Sequence, residues 1–95
     1  MDRLDEDAVG RALAGLSDWS REDAVLVRVV KRRNWLEAIS LVDAVAQEAE
    51  RRNHHPDLCV TGYRTVTFRL TTHSVGGLTQ RDLDLAAVID RLAQD

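Results

Sequence analysis

The sequence predicts an α+β fold, a two-layer sandwich in which three helices cover one face of a four-stranded antiparallel sheet. Two observations carry this expectation. Apolar residues recur at helical spacing in three separate segments, 4–15, 35–52 and the stretch after Thr79. Between the helices lie stretches that are either almost wholly aliphatic or strictly alternating, as strands require. The order is helix, strand, strand, helix, strand, strand, helix, and residues 1–95 are expected to form one domain.

In the first helix, Leu4, Ala8, Val9, Ala12, Leu13 and Leu16 share a face, and Gly15 suits its C-terminal end. The segment SDWS breaks the pattern, and Trp19 is expected to anchor a short strand or turn against the core. Residues 24–30, AVLVRVV, read as a strand whose interruption by Arg28 implies one partly open face. In the second helix, Asn34 and Glu37 have capping-box spacing, and Trp35, Ala38, Ile39, Val42, Ala46 and Ala49 form an apolar stripe. Asn53 suits a left-handed end to this helix, and Pro56 forbids continuation. Strands are expected over 58–61 and 63–72, with Gly62 as a bend or bulge. The segment SVGG is a loop. Thr79 then caps the last helix, with Asp82 in the carboxylate position of a capping box and Leu85, Val88, Ile89 and Leu92 as the buried stripe.

Composition narrows the functional classes. The chain is 44% hydrophobic and 31% charged, as in a soluble globular protein. A domain this small buries only about 60–65% of its unfolded surface. The net charge of −3 argues against nucleic acid as a partner, and the short run Lys31-Arg32-Arg33 reads as a solvated turn. No stretch has the length and apolarity of a membrane span or a signal peptide, so a cytoplasmic location is expected. Cys59 has no second cysteine to pair with and is expected to be a small buried hydrophobe.

The chain has 3 histidines, His54, His55 and His73, all at the two ends of one predicted hairpin. If Val66, Phe68 and Leu70 point under the helices, strand alternation puts His73 on the polar face with Thr67, Arg69 and Thr71. His54 and His55 follow a helix C-terminus, where an imidazolium would complement the dipole. Pro56 fixes the direction of the pair, and Glu50, one turn earlier, is expected to orient His54. Imidazole suits proton transfer near neutral pH. Three of them without a serine or cysteine nucleophile point to proton-transfer chemistry on a small molecule, with a histidine-bound zinc as the competing reading.

The combined spacing resembles the pterin-4a-carbinolamine dehydratases. Their pattern is an acidic residue, three residues, His-His-Pro, a gap to an aromatic, nine residues, a third histidine and an aspartate in the next helix. Here it is carried by Glu50, His54-His55-Pro56, Tyr63, His73 and Asp82, within the segment TTHSVGGLTQRDLDLA. The resemblance implies dehydration of a 4a-hydroxytetrahydropterin to the quinonoid dihydropterin, with neither metal nor organic cofactor. It places the reaction in the recycling of tetrahydropterin after aromatic amino-acid hydroxylation. It implies His54, His55 and His73 as catalytic and pterin-contacting residues, with proton transfer expected of His54 and His73 and ring binding of His55. Glu50, Pro56, Thr72, Ser74, Val75, Arg81 and Asp82 complete the implied pocket, Glu50 and Asp82 as supporting acids and Arg81 paired with one of them. It also implies a homodimer or homotetramer. Because animal members stabilise the dimer of a transcription factor, a non-catalytic binding module is the alternative. The chain departs from the pattern at Leu58, where many members have an aromatic residue, and at Val75, where some animal members have cysteine. The gap from His55 to Tyr63 is one residue longer than in the animal proteins, an insertion expected as a bulge near Gly62.

Overall fold

The computed structural model describes residues 2–94. Its elements are α1 (Glu6–Ala14), β1 (Ser20–Glu22), β2 (Val25–Lys31), α2 (Trp35–Arg52), β3 (Asp57–Thr61), β4 (Thr65–Leu70), a single 3-10 turn (His73–Val75) and α3 (Gln80–Leu92). The strands form one antiparallel sheet in the order β1-β2-β4-β3. The predicted α+β sandwich is therefore the observed architecture.

Cross-strand partners share a face, so the register sorts the side chains. Leu26 opposes Leu70, Val30 opposes Val66 and Val60 opposes Val66 from the other side. This face packs on Ala38, Leu41 and Val45 of α2, on Leu85, Ala86, Val88 and Ile89 of α3, and on Val9 of α1. Burying each large aliphatic side chain here contributes about 1.5–3 kcal/mol, which is what closes the two layers. The other face carries Val27, Val29, Thr67 and Arg69, and Val29 is exposed.

Arg28 opposes Phe68 and so lies on the helix-covered face, not on the open one. Its guanidinium reaches Asp90 of α3 and Asp18, and Asp90 also accepts from Trp19 Nε1 at 2.8 Å. A charge within an aliphatic run thus marks the margin of the helix layer, where carboxylates are at hand. Trp19 is buried beside it, as expected.

The stripe of α2 is rotated from the predicted one. Ala38, Leu41, Val45 and Ala49 are buried, whereas Trp35, Leu36 and Ile39 are exposed. The helix carries two adjacent apolar stripes, and the sheet accommodates one of them. Asn34 Oδ1 accepts from the Glu37 amide at 2.9 Å, while the Glu37 carboxylate turns to Arg33 instead of completing the capping box. Gly62 and Tyr63, at φ 55° and 59°, make the hairpin turn between β3 and β4. The pairing of Thr61 with Thr65 runs on through the ladder one to one, so the expected bulge is a turn. Cys59 is exposed, because its position between the inward-facing Leu58 and Val60 turns it to the open face.

Candidate functional site

The site is built where α2 ends and α3 begins. Asn53 adopts the left-handed conformation, at φ 50° and ψ 43°, and stops α2. The Asn53 amide donates to Glu50 O at 3.1 Å and the His54 amide to Ala49 O at 3.0 Å, the paired bonds of a Schellman motif. The reversal swings His54 inward toward α3. Pro56 then directs the chain into β3.

His54 is only 8% exposed, and its Nε2 lies 2.6 Å from Asp82 Oδ1. Asp82 is fully buried. Its Oδ2 accepts from Thr72 Oγ1 at 2.7 Å and from the Thr79 amide at 2.9 Å. With the carboxylate as the acceptor of all three bonds, Nε2 of His54 is the donor, and the tautomer this selects has its lone pair on Nδ1. Thr72 gives its single hydroxyl proton to Asp82. The 2.9 Å contact between Thr79 Oγ1 and Thr72 Oγ1 is therefore donated by Thr79. The result is a buried chain running Thr79, Thr72, Asp82, His54.

That chain also fixes the segment bearing His73. Thr72 pairs with Gly77 across a small loop, with the Thr72 amide donating to Gly77 O at 3.0 Å. β4 has ended at Leu70, so His73 belongs to the 3-10 turn and strand parity does not set its direction. Its ring is exposed and has no hydrogen-bond partner among the described residues. Ser74 is exposed and Val75 half-buried in the same turn.

Glu50 pairs with His55, not with His54: His55 Nε2 lies 2.8 Å from Glu50 Oε1, and both side chains are exposed. Helical spacing from Glu50 no longer applies beyond the left-handed Asn53, which shifts the neighbour by one residue. Arg81 does not pair with either acid. Its Nη2 donates to the carbonyls of Arg52 at 2.8 Å and Asn53 at 2.5 Å. Asp82 is occupied by its three donors, and the unpartnered carbonyls at the end of α2 are nearer to hand.

A hollow of about 230 Å³ beside His54 is lined by Arg52, Arg81 and Asp84 as well. Arg52 and Asp84 were not singled out from sequence. Their only signal is proximity, Arg52 two residues before His54 and Asp84 one helical turn after Arg81. A larger hollow of about 750 Å³, lined by Lys31, Arg32, Arg33, Glu37, Arg64 and Gln94, contains no histidine. Tyr63 lies at the end of β3 remote from His55 and stacks under Arg64, 5.9 Å from the ring centre. Among the described residues, no group of three His, Cys, Asp or Glu side chains could hold a metal ion, and no helix is long and apolar enough to cross a membrane.

The arrangement offers one buried, oriented imidazole, one paired surface imidazole and one imidazole without a side-chain partner among the described residues. Comparison with known proteins places the chain among relatives. The profile of the family described as Pterin 4 alpha carbinolamine dehydratase matches residues 2–92. A Nocardia farcinica protein named for this family is 50% identical over 91 residues, covering 96% of this chain and 95% of its own. A Mycobacterium leprae protein of the same name is 44% identical over 92 residues, covering 97% of each. A crystal structure of a transcriptional coactivator/pterin dehydratase from Brucella melitensis superposes with a TM-score of 0.92 at 29% identity, over 98% of this chain and 100% of that one.

Proposed function

Because the chain belongs to the pterin 4 alpha carbinolamine dehydratase family, we propose that it dehydrates a 4a-hydroxytetrahydropterin by histidine acid–base catalysis. The hydroxyl on the ring takes up a proton and leaves as water. The C–O bonding pair departs with it, a ring nitrogen supplies the replacement pair, and that nitrogen's proton passes to a base. The product is the quinonoid dihydropterin. No electron is gained or lost overall, so the protein need only move two protons and hold the ring still.

The observation that carries this reading is the Asp82-bound imidazole of His54. With Nε2 committed as donor, the available atom is Nδ1, a lone pair suited to the base role. His73, whose ring is free of partners, supplies the second proton-transfer group. His55, held by Glu50, binds the ring. Pro56, Thr72, Ser74 and Val75 shape the pocket edge. The enzyme works in the cytoplasm, returning tetrahydropterin to use after aromatic amino-acid hydroxylation. It acts as a homodimer or homotetramer, a reading supported by the exposed apolar residues Trp35, Leu36 and Ile39 on α2 and testable by light scattering.

The deciding experiment is an assay of 4a-hydroxytetrahydropterin dehydration without added metal, run with several reduced pterins. His54→Ala and His73→Ala are each expected to lose about 10²–10⁴-fold in kcat. Full activity in the double variant would overturn the reading. A coactivator-type role, the use named for the Brucella melitensis protein, would instead leave partner binding intact in the histidine variants of a chain without dehydratase activity.

A further inference from the structure

Arg81 and Asp82 are consecutive residues of the first turn of α3, yet they grip different parts of the same neighbourhood. Asp82 takes the ring of His54. Arg81 takes the backbone that delivers it, through Nη2 to the carbonyls of Arg52 and Asn53. The last carbonyls of a helix have no partner within it. Those of Ala49 and Glu50 are satisfied by the His54 and Asn53 amides. Those of Arg52 and Asn53 accept from Arg81, whose terminal nitrogen carries a proton for each.

The Asn53 carbonyl belongs to the peptide that joins Asn53 to His54. The N–H of that peptide is held by Ala49 O at 3.0 Å, and its C=O by Arg81 at 2.5 Å. Both sides of one peptide plane are thus fixed, and it is the plane from which His54 projects.

We propose that Arg81 is a positioning residue for the dehydratase reaction, holding the Asn53–His54 peptide so that His54 keeps its direction, without touching the pterin itself. The inference rests on the dehydratase reading above. Arg81 borders the hollow beside His54, and the inference gives it a supporting part there, because its Nη2 is spent on the two backbone carbonyls. Misplacing a catalytic group by about 1 Å can cost on the order of 10²-fold in rate, so the support has a kinetic signature.

The test compares Arg81→Met and Arg81→Lys with the wild-type chain in two measurements. In the dehydration assay, Arg81→Met is expected to lower kcat by about 10–100-fold while KM changes by no more than about twofold. Arg81→Lys, which keeps a charged donor, is expected to recover part of the loss. In amide hydrogen exchange, the His54 amide is expected to lose protection in Arg81→Met and regain it in Arg81→Lys, while the amides of β4 stay protected. A loss carried by KM would make Arg81 a substrate contact and overturn the proposal. So would an unchanged kcat, or a reduced kcat with His54 protection intact. A wild-type chain without dehydratase activity would sink the dehydratase reading instead, and the exchange measurement would still decide whether Arg81 holds the peptide.

Discussion

His54 and Asp82 stand 28 positions apart in the chain, and their side chains meet at 2.6 Å in a buried contact. One carboxylate closes the capping box of α3 and orients the imidazole that ends α2. Fold and site therefore share an atom set, and neither can be altered alone. Asp82→Asn replaces an acceptor with a donor facing a Thr72 hydroxyl, a Thr79 amide or the His54 ring. Either one buried bond is lost or the His54 ring changes tautomer and takes its proton on Nδ1, and in both cases the bonds to an ionised acceptor are lost, at a cost of about 1–3 kcal/mol. Urea denaturation is expected to show that loss together with reduced kcat. An Asp82→Asn protein of wild-type stability would mean the carboxylate is not the keystone described.

The Glu50–His55 pair is exposed and independent of that network. Its removal is expected to behave differently. Glu50→Gln is expected to leave the fold intact and free His55 to rotate, so that under the proposed roles substrate binding weakens while His54 and His73 stay in place. The expected result is a several-fold rise in KM with kcat unchanged, the pattern of lost uniform binding. A fall in kcat with KM unchanged would move His55 into the proton-transfer step.

The two pairings also show what sequence could and could not reveal. The three histidines, Glu50 and Asp82 are each legible individually, because capping spacing exposes Asp82 and the proline exposes the end of α2, whereas Asp84 carries no such signal. The pairing is not legible. Counting helical turns from Glu50 points to His54, but Asn53 leaves the helix at φ 50° and passes the contact to His55. His54 finds instead a residue of another helix, a distance that no local period encodes. His73 fails for a similar reason. Alternation along β4 stops at Leu70, where Thr72 turns to pair with Gly77, so parity counted beyond that point has no meaning. In α2 the ambiguity is different: two adjacent apolar stripes have the same period, and only the shape of the sheet selects Leu41 and Val45 over Trp35 and Ile39.

Tyr63 is a residue the hairpin carries at a cost. Its φ of 59° lies in the left-handed region, where a side chain with Cβ is disfavoured by roughly 1–2 kcal/mol. Asparagine tolerates this conformation better. Tyr63→Asn gives up the exposed stacking of Arg64 at 5.9 Å, worth about 0.5–1 kcal/mol. The net gain is expected to be about 0.5 kcal/mol, or roughly 2–4 °C in Tm for a chain of this size. Because Tyr63 lies at the far end of β3 from His55, dehydratase activity is expected to be unchanged. Lost activity in Tyr63→Asn would show that the aromatic residue reaches the site.

A last prediction concerns acid. Arg21 grips Glu6 with both terminal nitrogens, at 2.6 and 2.8 Å, tying β1 to the first turn of α1. The hydrogen bonds to Arg21, then its charge, hold the Glu6 carboxyl below its ordinary value of 4.5. A carboxyl whose proton affinity is lower in the folded chain than in the unfolded one stabilises the fold above the unfolded value, and the contribution disappears as pH falls through the folded value. Wild-type Tm is therefore expected to exceed that of Arg21→Gln near neutral pH. The gap should shrink below about pH 4.5 and vanish once Glu6 is protonated in both states. The pair is exposed, so added salt should narrow the gap at neutral pH as well. A gap independent of both pH and salt would assign the effect of Arg21 to packing instead of to its charge.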